Sequence, residues 1–177
     1  RILAFSDRII GNGMINSERK SMGTYIIGLD PEAEERIGAR RAIATGRPLA
    51  PTDREGVVVG EKMRKALEAR IGEKIVLTAQ DYYGSLTGGS FRLVGTFETG
   101  NDQIDNTMAV ILKSSAQELL LFEHRVSKFA LKIDPRFPIA EVTNDLKGRL
   151  VDPDLRVVTW ESLIPMIKQI MRRKNAV

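Results

Sequence analysis

The sequence contains no cysteine. A disulfide framework and a thiolate metal site are therefore excluded, while the compartment stays open. One histidine, His124, is present, which rules out a His-pair metal site. No G-x-S-x-G nucleophile elbow accompanies it, so His124 reads as a helix-end or loop residue. No apolar run approaches the roughly 18 residues of a membrane span. There is no internal repeat and no low-complexity segment. What remains is an ordinary globular composition, 42% hydrophobic and 28% charged over 177 residues, enough for one large domain or two small ones. The net charge of +4 comes from 27 basic and 23 acidic residues. The basic residues are scattered, so they read as solvated faces and no nucleic-acid partner is expected. The chain starts at Arg1 without a methionine or a signal peptide, and is expected to be part of a longer protein.

The organising stretch is Phe91 to Leu120. Phe91, Leu93 and Phe97 alternate with Arg92, Val94 and Thr96, which predicts a strand with one apolar face. An acidic loop follows. Met108–Leu112 is an unbroken apolar run, expected to be a strand buried on both faces. Ser114 with Gln117, or Ser115 with Glu118, reads as a capping box for a helix with Ala116, Leu119 and Leu120 on its apolar side. Upstream, Ile2–Ile10 and Tyr25–Leu29 have strand character, and Gly11-Asn12-Gly13 reads as a turn. Asp30 as N-cap with Pro31 at N1 opens a helix that Gly38 ends. Residues 46–54 read as a loop. Val57–Val59 is a short buried strand, followed by a helix over Glu61–Arg70 with Met63, Ala66, Leu67 and Ile71 inward and Gly72 as its stop. Ile75, Leu77 and Ala79 predict a strand, and Gln80–Ser90 a hairpin tip. Downstream, a strand at Phe129–Ile133, a helix from Pro138 and a return strand at Leu155–Val158 spell a β-α-β unit. Thr159–Lys174 reads as a helix that Pro165 kinks, with Trp160 as a core anchor.

Little in this pattern carries chemistry. Glu98, Asp102 and Asp105 form the one local carboxylate cluster. Oxygen ligands of this kind suit a hard cation, but EF-hand spacing is absent and solvated loop carboxylates fit better. The glycine-rich run from Gly84 to Ser90 lacks the lysine of a phosphate loop and precedes a strand, so it reads as a hairpin turn. Tyr82, Tyr83 and Leu86 sit at that tip. Either they fold back on the core or they form an exposed contact patch. The residues by themselves support an α+β domain with no catalytic, metal or cofactor site.

One ordered set of short motifs adds to this. It comprises Gly28-Leu29-Asp30-Pro31, Gly56-Val57-Val58-Val59-Gly60, Ile71-Gly72-Glu73-Lys74-Ile75, Val94 to Gly100, Asp105 before the Met108 strand, Ala116-Gln117 and Val126-Ser127. In order and spacing it resembles the extracytoplasmic domain of permeases of the MacB/FtsX superfamily of ABC transporters. Trp160 followed by Pro165 and Arg172-Arg173-Lys174 is most similar to the lipoprotein-releasing, Lol-type members. The resemblance implies a non-catalytic periplasmic domain between two transmembrane helices. It implies a Porter-like β-α-β lobe of residues 1–30 and 125–177, its N-terminal part incomplete, with a Sabre-like mixed α/β lobe of residues 31–124 inserted. The implied partners are a cytoplasmic ATPase subunit, a second permease subunit, and a periplasmic carrier or lipidated substrate. Tyr82, Tyr83 and Leu86 are the partner-binding candidates. The loop matching the carrier-docking hook is shorter here and lacks proline, so hook residues are not transferred. The alternatives are an efflux or a signalling permease of the same superfamily, or a soluble hydrolase using Glu98, Asp102 and Asp105.

Overall fold

The computed structural model describes residues 1–39, 41–159 and 162. In chain order the elements are β1 (Ile2–Asn16), β2 (Ser21–Leu29), α1 (Pro31–Ile37), β3 (Ala42–Gly46), β4 (Gly56–Gly60), α2 (Glu61–Ala66), β5 (Lys74–Gln80), β6 (Leu86–Glu98), α3 (Asp102–Thr107), β7 (Met108–Leu112), α4 (Lys113–Leu120), β8 (Lys128–Ile133) and α5 (Ile139–Arg149). The class is α+β, as expected. The chain falls into two compact units, Ala4–Lys132 and Arg1–Leu3 with Ile133–Val177.

The strands run in the order β2-β7-β4-β6-β5-β1-β8, with β3 on β6. Because β1 pairs with β2 as well as β5, six strands close into a circuit, β1-β2-β7-β4-β6-β5. Closure leaves those strands few unpaired edges. β2–β7 and β4–β6 are parallel, and the other pairings in the circuit are antiparallel.

One side of the sheet gathers Ile9, Ile15, Ile26, Val57, Val59, Ile75, Leu77, Leu93 and Ile111 with Met63 and Leu67 of α2 and Ala116 and Leu120 of α4. The other gathers Ile27, Leu29, Val58, Phe97 and Val110. β4 and β7 are thus covered on both faces, which is why their sequences are unbroken apolar runs. Each large side chain so buried stabilises by about 1.5–3 kcal/mol. Phe97 departs from the simple alternation with Leu93. Val57 sits opposite Leu93 but Val58 opposite Gly95, so β6 carries one extra residue and its later side chains change face.

Several expected boundaries move. β1 runs straight through Gly11–Gly13, and the chain reverses at Ser17, whose Oγ accepts from the N–H groups of Arg19 and Lys20. The glycine at 13 serves close approach instead, since a Cβ there would lie 2.0 Å from the Thr78 carbonyl oxygen of β5. α2 stops at Ala66, and Ala69 replaces Ala66 and Ile71 in the core. The β1–β2 turn takes the carbonyls that would continue it: Ser17 Oγ donates to Leu67 O (2.7 Å) and Arg19 to Glu68 O (2.9 Å). α4 opens from Leu112 without a side-chain cap. Its predicted capping residues are spent elsewhere, Ser115 Oγ donating to Arg54 O and Glu118 pairing with Arg54. The expected acidic loop contains α3, capped by Asn101.

α1 is as expected, with Asp30 accepting from Glu32 N–H, Pro31 at N1, and Gly38 at φ 76°. β8 and α5 form, but residues 155–158 form no strand, so the β-α-β unit is not completed. Alternating apolar residues permit a strand, whereas forming one needs a ladder partner, and Leu155 and Val158 stay exposed. Phe129 and Leu131, the apolar positions of β8, are exposed too. Trp160, Pro165 and the basic run of residues 172–174 lie outside the described residues.

Where β4 meets α2, the buried Glu61 carboxylate accepts two bonds from Arg64 (2.6 and 3.0 Å) and one from Thr96 Oγ1 (2.6 Å). The Arg64 hydrogen bonds first, then Thr96 and the Arg64 and Lys65 charges, outweigh burial and hold its pKa down at about 2. A lowered carboxylate pKa stabilises the fold fully above the unfolded value near 4.5, and the contribution is lost as pH falls towards 2. It amounts to about 3 kcal/mol. Glu61→Gln is expected to lower unfolding free energy at pH 7 by about that much and to flatten its dependence on pH between 5 and 2, read by urea titration. A Cβ at Gly60 would meet the Asp105 carbonyl oxygen at 2.0 Å, whereas one at Gly23 meets nothing within 4 Å. Gly60→Ala is expected to cost at least ~1–3 kcal/mol by overpacking, with Gly23→Ala near neutral, in the same titration.

Candidate functional site

β5 and β6 pair up to Gln80 opposite Leu86, so the hairpin tip is residues 81–85 and the glycine-rich Gly88-Gly89 lies inside β6. The tip is built by Asp81. Its Oδ1 accepts from the N–H groups of Tyr83 (2.8 Å) and Ser85 (2.9 Å), and its carbonyl from Gly84 N–H (3.0 Å). Gly84, at φ 85°, takes the left-handed conformation that lets the chain return to the ladder. The Tyr82 N–H donates to the Leu120 carbonyl (2.8 Å), fastening the tip to the end of α4.

Above that base the Tyr82 ring meets Phe122 edge-on at 5.6 Å and Tyr83 at 5.3 Å, and the Arg125 guanidinium lies 4.0 Å from its centre. Such contacts each contribute about 0.5–1.5 kcal/mol. Tyr82 is therefore half-exposed and bracketed, while Tyr83 (77% exposed) and Leu86 (84%) face solvent. Tyr82 folds back on Phe122, and the other two side chains project into solvent. The result is a knob whose backbone and Tyr82 ring are held in place while Tyr83 and Leu86 are presented to solvent. Asp81 carries a local signal, an Asx turn three residues before a glycine. Phe122 and Arg125 carry none, because 40 or so residues separate them from the tip and only the fold joins them.

The carboxylate cluster does not assemble. Glu98 is exposed, Asp102 pairs with Lys62 (2.5 Å), and Asp105 is buried, accepting from Thr99 N–H (2.9 Å) and Oγ1 (2.7 Å). Asp105 thus departs from a solvated loop residue: it anchors the entry to α3, with its Oδ1 engaged by Thr99. Among the described residues no group of three or more Asp, Glu or His side chains is placed to hold a metal ion. His124, at φ 54°, is an exposed loop residue after α4. Among the described residues no helix is long and apolar enough to cross a membrane.

The circuit of strands has counterparts among solved structures. The periplasmic region of MacB from Actinobacillus actinomycetemcomitans matches with a TM-score of 0.64 at 16% identity, over 97% of this chain and 76% of that one. The extracellular domain of the ABC-type transporter YknZ from Gram-positive bacteria matches with a TM-score of 0.57 at 10% identity, over 83% and 77%. A domain of a permease protein from Porphyromonas gingivalis gives 0.50 at 11% identity, over 83% and 68%. At these identities the likeness is one of fold. No curated protein matches the sequence. A family model does, over residues 4–149. By that match, which takes in the strand circuit, the hairpin and α5, the chain belongs to the MacB-like periplasmic core domain family.

Proposed function

We propose that this chain is the extracytoplasmic domain of a lipoprotein-releasing type of ABC permease, and that it works mechanically. ATP hydrolysis falls to a cytoplasmic subunit. Its closure moves the membrane spans, and the domain passes that motion to a carrier or lipidated substrate outside. The observation that carries this reading is the knob at Tyr82, Tyr83 and Leu86. It stands on a scaffold of the MacB-like family, held by Asp81 and the Leu120 carbonyl. A transmitting element has to be stiff, and a capturing one has to expose apolar side chains. The hairpin does both.

What favours the lipoprotein-releasing type over the efflux and signalling types is the sequence pattern of Trp160, Pro165 and Arg172-Arg173-Lys174. The hydrolase reading is disfavoured by Asp105, whose carboxylate oxygen is engaged by Thr99 within the loop.

Replacing Tyr82, Tyr83 and Leu86 together by Ser is expected to leave the fold intact and to lower the melting temperature by roughly 5–10 °C, since Tyr83 and Leu86 are mostly exposed and the ring contacts given up centre on Tyr82. In the full-length permease the same change is expected to cut capture of partner or lipidated substrate at least tenfold, the loss of about 1.4 kcal/mol expected when one hot spot is removed. Capture at the wild-type level in a pull-down would exclude the knob as the contact surface.

A further inference from the structure

The second face of the sheet is not fully covered. Between α1, β3 and the loop at Pro48–Pro51 lies a cavity of about 340 Å³, the size of a small-ligand pocket. Its lining is apolar at Leu29, Ile43, Leu49, Val58, Phe97 and Val110. Arg41 lines it as well. The guanidinium stands 5.5 Å over the Phe97 ring and has no hydrogen-bond or ion-pair partner among the described residues.

The nearby carboxylate that would neutralise it is already taken. Glu34 accepts from Ser6 Oγ (2.7 Å) and, in a forked pair, from Arg8 Nε (2.7 Å) and Nη2 (2.8 Å). Glu32, Glu34 and Glu35 all line the cavity from α1: Glu34 is held by Ser6 and Arg8, Glu32 is exposed in the first turn, and Glu35 has an interaction of its own. Lys128 lies within the field of the same group: Arg8 and Arg41 repel its charge and Glu34 attracts it. Three cations therefore surround one buried carboxylate. Burial lowers the pKa of Arg41, the mark of a charge partly removed from water without full compensation. An apolar cavity with an incompletely compensated cation on its wall is complementary to a molecule carrying a tail and an acid group.

We propose that this cavity binds an anionic amphiphile, its apolar chain against Leu29, Val58, Val110 and Phe97 and its acid group on Arg41. Guanidinium suits a carboxylate or phosphate head through paired N–H donors. The site is separate from the hairpin knob and does not depend on the role assigned to it.

The test is isothermal titration of the 177-residue chain with dodecanoate below its micelle concentration, alongside dodecylammonium and dodecanol. Dodecanoate is expected to bind one to one, at least tenfold tighter than either comparator. Arg41→Gln is expected to weaken dodecanoate at least tenfold and leave dodecanol unchanged, and Ala39→Trp, at the cavity wall, to abolish binding of both. The Ser triple variant of the knob is expected to bind dodecanoate as wild type does. Absence of dodecanoate binding, equal binding of dodecylammonium, or unchanged affinity in Arg41→Gln would overturn the proposal. Should that variant fail to fold, unchanged dodecanoate affinity in Ala39→Trp would overturn it equally.

Discussion

The joint between β4 and α2 is the constraint on which the rest of the fold depends. β4 lies between β6 and β7 with all five residues buried, so the chain must leave it without a solvated turn. It does so at Gly60, where α3 passes too close for any side chain, and at Glu61, whose carboxylate is drawn out of water. A buried carboxylate is costly unless its lone pairs are filled. Arg64 fills them from within α2 and Thr96 from β6, while Thr45 of β3 stands 3.4 Å away. One charge thereby fixes a helix to two strands, and the position of β6 in turn sets the hairpin that carries the knob.

The sequence was most legible where the signal is local. Asp30-Pro31 with Gly38 delimits α1 because a cap, a proline and a left-handed glycine act within single turns. The runs at Val57–Val59 and Met108–Leu112 announced buried strands because both faces are covered. It was least legible where distant residues compete for local groups. α2 is shortened by a turn some 50 residues upstream, and the apparent capping box of Ser115 and Glu118 is overridden by Arg54. The bulge in β6 has no marker in the alternation of Phe91, Leu93 and Phe97; Gly95, where a Cβ would meet Arg47 O at 1.9 Å, is its trace. The return strand expected at residues 155–158 failed for the same kind of reason, since a strand is made by its partner. The knob was half legible. Its exposed residues could be named from the tip, but the ring and guanidinium that steady Tyr82 come from beyond α4.

The short motifs that carry the family resemblance gain a physical meaning in the structure. Gly28, Gly60 and Gly95 are points where another element crosses within 2.3 Å of where a side chain would begin. They fix crossings in the strand circuit, so their order along the chain encodes which elements touch. That explains how matches weak one by one agree with a fold whose solved examples share only 10–16% identity with this chain. It also explains why they say little about substrate: crossings define the scaffold, whereas the proposed recognition surface is the exposed tip, which makes no such crossing.

The central claim is that the hairpin knob touches a partner while the permease is working. The most direct measurement is site-specific photo-crosslinking in the full-length permease, with benzoylphenylalanine at position 83 and, as a control, at the exposed position 98. The account predicts a partner or substrate adduct from position 83 that varies with the nucleotide state of the ATPase, and none from position 98. Equal adducts at both positions, or none at 83 under conditions in which the transporter turns over, would contradict it.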